Sequence, residues 1–149
     1  MIHVERLASD AGDAYSTALR ADPNATVYHS LPWRDFLARA AGGEPTFLVA
    51  REDGAPRAVL PYFVKHTQLG PIVNSMPWYG SHGGVHLFPG GDARHETALI
   101  RAFCDTVDAL VPVSATVVLD PTQDARAFDA WAPFGATTID ARIGQTNLL

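Results

Sequence analysis

The sequence lacks the features that mark secreted, membrane-spanning and nucleic-acid-binding proteins. Its one cysteine, Cys104, excludes an internal disulfide and a cysteine-rich zinc site. No apolar run approaches the roughly 20 residues that a membrane-spanning helix needs, and no basic stretch followed by an apolar one resembles a signal peptide. Basic residues are scattered and the net charge is −5, which argues against a DNA-binding surface. We therefore expect a cytoplasmic protein without a membrane span.

The composition that remains is typical of one folded domain. The 149 residues are 47% hydrophobic and 18% charged, a balance that lets a chain of this length bury a sizeable core. We see neither repeats nor low-complexity segments, and we therefore treat residues 1–149 as a single domain.

Hydrophobic spacing and turn residues predict the element order β-α-α-β-β-β-α-β-α-β. The predicted elements are a strand at 2–6, a helix up to Arg20, a helix from Ser30 to Gly42, strands at 46–51, 57–65 and 72–76, a helix that Asp92 caps, a strand at 115–119, a helix at 123–131 and a strand from 136 to about 143. The β-branched run 115–119 should be buried, and Pro61 predicts a bulge or an edge. This order favours an α/β fold with helices packed on a mixed central sheet.

Three short stretches make this fold prediction more specific. They are residues 28–33 (YHSLPW) at the entry to the second helix, 57–63 (RAVLPYF) within a strand, and 75–84 (SMPWYGSHGG) in a loop. Together, and in this order, they resemble the corresponding motifs of FemAB-like proteins, which are acyltransferases of the acetyltransferase-related (GNAT) superfamily. The resemblance covers roughly residues 26–143 and implies a GNAT-like mixed sheet flanked by helices.

The resemblance also implies a function. FemAB-like proteins usually carry two GNAT-like halves in a chain about twice this long, and they transfer an acyl or aminoacyl group to an amine, often on a peptidoglycan or other cell-envelope precursor. The chain would then be the first, acceptor-side half and would not be catalytically complete alone. The donor, acetyl-CoA or an aminoacyl-tRNA, would be held mainly by the second half, so that no cofactor is expected on this chain.

The superfamily's donor-binding signature is missing. That signature, [Q/R]-x-x-G-x-[G/A], aims backbone N–H groups at a pyrophosphate, and residues 39–44 (RAAGGE) and 51–56 (REDGAP) both fail at the last position. A carboxylate at Asp92, before the strongest predicted helix, would also oppose a phosphate. We therefore expect this chain alone not to bind acetyl-CoA.

The loop 78–84 is the candidate ligand-binding surface. It combines aromatic rings, a hydroxyl, an imidazole and flexible backbone N–H groups within seven residues. The predicted substrate-binding residues are Trp78, Tyr79, Ser81, His82, Gly83 and Gly84, together with His29, whose segment lies near the cleft by resemblance. The alternative is structural: the two aromatic residues seal the edge of the core and the glycines permit a tight reversal.

Other polar residues are interpreted as structural, and no catalytic nucleophile is assigned. Ser30, beside His29, is a natural helix cap. His82 and His86 are four residues apart but span a Gly-Gly loop without an acidic partner at a recognisable spacing, so no metal site is expected. Cys104 lies on the apolar face of its helix, with no cation to lower its pKa.

Two other functions are left open by the sequence. An autonomous acyl-CoA N-acetyltransferase with an unusual donor loop would bind coenzyme A despite the missing signature. A non-enzymatic interaction domain or homodimer would expose a large apolar docking surface and would self-associate. In the acyl-transfer hypotheses the partner is a small molecule or an envelope precursor, with a second GNAT-like half as the protein partner in the first of them.

Overall fold

The computed structural model describes residues 1–7, 12–75, 83–119, 126–135 and 138. Its elements are β1 (Ile2–Arg6), α1 (Gly12–Ala21), a 3₁₀ turn (Val27–His29), α2 (Leu31–Ala41), β2 (Glu44–Glu52), β3 (Ala55–Thr67), β4 (Gly70–Asn74), β5 (His86–Leu87), α3 (Ala93–Leu110), β6 (Ser114–Thr116), α4 (Arg126–Trp131) and a second 3₁₀ turn (Ala132–Phe134). The predicted fold class, a mixed sheet flanked by helices, is confirmed. The strand predicted at 136–143 lies outside the described residues apart from position 138.

The second helix begins and ends at the residues that the sequence predicted as its caps. The Trp33 N–H donates to the Ser30 hydroxyl at 3.3 Å, so Ser30 is the N-cap of α2. Pro32 occupies the first turn, where its missing N–H has no helical partner. Gly42 ends the helix in the left-handed conformation, with φ 60°.

The sheet has the order β1-β2-β3-β4-β6, and β5 pairs with β3. Neighbouring strands are antiparallel except β4 and β6, which are parallel because α3 returns the chain between them. The predicted hairpin of β2 and β3 is confirmed, and its turn contains Asp53 and Gly54, both with positive φ. Within the described residues, no helix is long and apolar enough to cross a membrane.

Helices cover both faces of the sheet. On one face, Leu60 and Tyr62 of β3 pack with Leu99 and Phe103 of α3. On the other face, Val59 of β3 belongs to a second cluster, whose other members are Leu7, Tyr15, Phe47, Val49 and Phe88. Alternate residues of β3 therefore serve two separate cores, which explains its nearly continuous apolar sequence.

Two expectations about strands, burial of the run 115–119 and a bulge at Pro61, were wrong. The first was expected to be a buried strand, yet β6 spans Ser114–Thr116 and all three residues are exposed. The reason is that β6 is the last strand in the described part of the sheet, whereas α3 packs on β1, β2 and β3. The register shift in the hairpin falls between Ala50 and Arg51 rather than at Pro61, which pairs in register with Phe47.

The arrangement of the cores predicts that a Leu→Ala substitution lowers stability much more at a buried position than at an exposed one. Leu99→Ala removes a fully buried side chain of α3 and should lower the free energy of unfolding by about 3 kcal/mol. Leu69→Ala, at a side chain that is 84% exposed, is the matched control and should change it by less than about 0.5 kcal/mol. Urea denaturation measures both; equal effects would contradict the assignment of Leu99 to the core.

Candidate functional site

An interruption in strand pairing defines the candidate site. β4 ends at Asn74 opposite Phe63, and β5 resumes the pairing with β3 at His86, opposite Val59. Between them lie residues 75–85, here called the excursion, and in the described structure 60–62 of β3 have a paired neighbour only on the β2 side. Pro61 lies in this stretch, and the edge expected there as the alternative to a bulge stays a prediction. Excursions whose ends stay close together are frequent places for binding residues.

Both ends of the excursion are fixed by the chain that continues from β6. The Ser75 N–H donates to the Thr116 carbonyl at 2.9 Å, and the Gly83 N–H donates to the Val118 carbonyl at 2.7 Å. The Val118 N–H in turn donates to the Ser75 hydroxyl at 2.8 Å. Ser75 and Gly83 are therefore both held by the same three-residue stretch, 116–118.

The structure describes three of the seven predicted binding residues. Trp78, Tyr79, Ser81 and His82 lie outside the described residues. Gly83 and Gly84 are buried at the base of the excursion, where a Cβ on Gly84 would lie 2.9 Å from Leu119 Cδ2. The glycine at position 84 thus permits close packing against the segment after β6.

His29 lies under the return point of the excursion. Its side chain is buried in the 3₁₀ turn between α1 and α2. The imidazole stacks on that of His86, with ring centroids 4.5 Å apart and planes 31° from parallel. His29 therefore contacts the residue that follows the excursion, and its predicted role in substrate binding stays a prediction.

His86 and Asp22 were missed as site residues. His86 Nε2 lies 2.9 Å from Asp22 Oδ2, and the other oxygen of Asp22 accepts the Asn24 N–H at 2.9 Å. The sequence offered only weak signals, since Asp22 was interpreted as part of a helix break and His86 as half of a histidine pair. Their 64-residue separation hides the contact, which forms only when α1 packs on the sheet.

Tyr15 holds the turn that carries His29. Its hydroxyl donates to the His29 carbonyl, and its ring packs on Phe47 and Phe88. Burial raises the pKa of the Tyr15 hydroxyl well above its usual range, and the Arg34 charge opposes that shift only partly. The hydroxyl therefore serves as a neutral donor and fixes the backbone beneath the imidazole stack.

Hydrogen bonds hold the described carboxyl ends of the parallel strands β4 and β6 together. Ligands of α/β sheets commonly bind outside such ends. Here the contacts of Ser75 and Gly83 with 116–118 bridge the two strands, and Gly84 packs on Leu119. A groove of about 380 Å³ lies between β1 and α3, lined by Val4, Arg94, Thr97, Ala98, Arg101, Ala102 and Asp105.

The N-terminus of α3 is occupied by a side chain. As predicted, Asp92 is the N-cap, and its carboxylate accepts the Arg94 N–H at 2.9 Å. Its hydrogen bond with the Arg94 side chain is the main reason that the pKa of the Asp92 carboxyl lies well below its usual range. A carboxylate that stays ionised at this position competes with any phosphate for the helix N–H groups.

Cys104 and the described metal-ligand candidates supply no further chemistry. Burial raises the pKa of the Cys104 thiol, and Asp108 and Asp105 add to the effect, so the nucleophilic thiolate is disfavoured. Among the described side chains, no group of three or more His, Cys, Asp or Glu could hold a metal ion.

Comparison with known proteins identifies the fold. An aminoglycoside acetyltransferase from an uncultured soil metagenomic sample matches with a TM-score of 0.62 and 16% identity, over 99% of this chain and 96% of that one. A ribosomal-protein-alanine N-acetyltransferase from Brucella melitensis biovar Abortus 2308 matches with 0.60 and 12%, over 98% and 99%. Glucosamine-6-phosphate N-acetyltransferase from Arabidopsis thaliana matches with 0.59 and 12%, over 98% of each chain. The chain has the GNAT fold.

No protein-family model and no curated protein matches the sequence. At identities of 12–16%, the structural likeness establishes the GNAT fold and leaves the substrate and the activity to be argued from the site.

The Tyr15 hydroxyl should matter for stability although it lies at the site. Tyr15→Phe leaves the buried His29 carbonyl without its donor, and should lower the free energy of unfolding by about 1–3 kcal/mol. Urea denaturation with an unchanged slope would confirm this local loss. A variant as stable as the parent would show that the hydroxyl does not hold the turn.

Proposed function

We propose that this chain is the acceptor-side module of a GNAT-type N-acyltransferase, and that it holds an amine where residues 75–85 interrupt the pairing of β3. The interruption carries the proposal, because both its ends are fixed and the Asp22–His86 pair lies at its return point. The excursion itself contains Trp78, Tyr79, Ser81 and His82, which would contact the acceptor. The proposed role is FemAB-like, with a cell-envelope precursor as the favoured acceptor class.

Two observations support an acceptor role over a donor role. The described ends of β4 and β6 are bridged by hydrogen bonds, and the first turn of α3 is capped by Asp92. At both places the N–H groups named above are already hydrogen-bonded, which disfavours a pyrophosphate there. We propose that acetyl-CoA or an aminoacyl-tRNA is bound by a second GNAT-like unit, and that this chain contributes position and electrostatics to the transfer.

The coverage of the solved structures favours one alternative, an autonomous acyl-CoA N-acetyltransferase. Three acetyltransferase structures, of an aminoglycoside, a ribosomal-protein-alanine and a glucosamine-6-phosphate acetyltransferase, are matched over 96–99% of their own length. A chain of this size therefore spans nearly the whole fold in those proteins. The alternative requires a donor site made differently from the missing signature.

Titration with acetyl-CoA separates the two functions. The acceptor-side proposal predicts no calorimetric binding and no change in Tm at millimolar acetyl-CoA. A ligand at 100 times its Kd would stabilise the protein by about 2.7 kcal/mol, which a thermal shift resolves easily. Micromolar binding with a raised Tm would overturn the acceptor-side proposal and support the autonomous enzyme.

A panel of amines tests the acceptor site directly. The probes are sisomicin, glucosamine 6-phosphate, a peptide with an N-terminal alanine and a lysine-containing peptidoglycan peptide. We expect at least one to shift the backbone amide NMR signals of Gly83 and Gly84, with the signals of Leu69 and Gly70 at the opposite end of β4 as the control. Perturbation confined to those control residues, or to none, would contradict an acceptor site at the excursion.

A further inference from the structure

We propose that His86 is the base that removes a proton from the acceptor amine, and that Asp22 positions its imidazole. This inference rests on the proposed acyl-transfer function. It begins from the buried pair itself, in which the carboxyl group of Asp22 and the imidazole of His86 are 3% and 11% exposed.

Asp22 determines which nitrogen of His86 carries the proton. An ionised carboxylate only accepts hydrogen bonds, so the 2.9 Å contact assigns a hydrogen to Nε2. The neutral imidazole then has its lone pair on Nδ1. The Asn24 N–H holds the second oxygen of Asp22, which keeps the carboxylate from rotating away. This is the arrangement by which a buried aspartate prepares a histidine as a base.

Among the described residues, His86 interacts with Asp22, His29 and Phe88, and none of them hydrogen-bonds to its Nδ1. The side chain is 11% exposed, and it belongs to the first residue after the excursion, beside the proposed acceptor site. Geometry comes first in assigning a base, and Nδ1 combines a lone pair with a place on a partly exposed ring.

The surroundings of His86 suit a base that becomes charged during the reaction. The ring of His29 is held by Thr26, whose N–H and hydroxyl lie 3.4 and 3.2 Å from its Nδ1, and it faces the ring of His86. The Asp22 carboxylate on the other side would stabilise an imidazolium at His86. Tyr15, a neutral donor, and Arg34 lie beyond this first layer.

The step balances with an acyl thioester or ester as the donor. The acceptor ammonium loses one proton to His86 Nδ1, and the free amine attacks the carbonyl carbon. The C–N bond forms as the C–S or C–O bond breaks. The second proton of the nitrogen neutralises the leaving thiolate or alkoxide, and His86 releases the first proton to solvent. The products are an amide and a thiol or alcohol.

Labelling with diethyl pyrocarbonate, which modifies unprotonated imidazole nitrogens, tests the assignment without a donor. The rate at each histidine is measured by peptide mass spectrometry and divided by the rate at exposed His66, which corrects for reagent consumption. Despite its low exposure, His86 should react at a rate near that of His66, whereas the buried His29 and His95 should react at least tenfold more slowly.

Asp22→Asn should lower the relative rate at His86 at least tenfold, because an amide that donates to Nε2 moves the hydrogen onto Nδ1. Asp53→Asn, at a side chain that is 87% exposed, is the matched control and should leave the rate unchanged. Circular dichroism checks that both variants fold. Equal rates in the parent and Asp22→Asn, or a His86 as unreactive as His29, would overturn the assignment.

An amine that shifts the Gly83 and Gly84 signals should also slow labelling of His86 relative to His66 by at least fivefold. Binding at those glycines without protection of His86 would overturn the catalytic role. If no amine binds, the proposed function fails, and the labelling of the parent and Asp22→Asn still decides whether His86 presents a free Nδ1 nitrogen.

Discussion

β3 is the central strand of the described sheet, and two separate strands share one of its sides. β2 pairs with β3 from Ala55 to Val64, with one register shift, whereas the other side is shared by β4 and β5, twelve residues apart in the chain at Asn74 and His86. A short strand such as β5 can slip by one residue, which would turn its side chains to the wrong face. The bonds of Ser75 and Gly83 to the segment after β6 remove that freedom, and the position of His86 depends on them.

Asp22 and His86 are buried because of this strand register. Val59, opposite His86, faces the cluster under α1, so His86 points into an apolar environment with Phe88 at its edge. A polar ring there is tolerated only if it is hydrogen-bonded, and the end of α1 brings Asp22 to it. Tyr15 supports the same region from α1 by bonding to the turn that carries His29. Each group thus constrains the next, which makes the site rigid.

The sequence predicted those parts of the structure that depend on neighbours in the chain. Caps at Ser30 and Asp92 and the helical spacing of α3 are local signals, and all three were predicted correctly. β5 has two residues and therefore no detectable period. The exposure of β6 depends on which strands α3 covers, which an apolar run does not reveal. The Asp22–His86 contact depends on α1 docking on the sheet, and so only the loop that leads to it was predicted from residue types.

The unusual feature of the site is that two ionisable side chains, Asp22 and His86, are buried together. Replacing buried polar or ionic partners by apolar residues of similar size is often neutral or stabilising. The second cluster already contains Tyr15, Phe47 and Phe88, so an apolar residue at position 86 would serve packing at least as well. Structural neighbours keep the same fold at 12–16% identity, so the fold places few demands on any one position. The proposed role of His86 as a base explains why the pair is buried there, whereas stability alone does not.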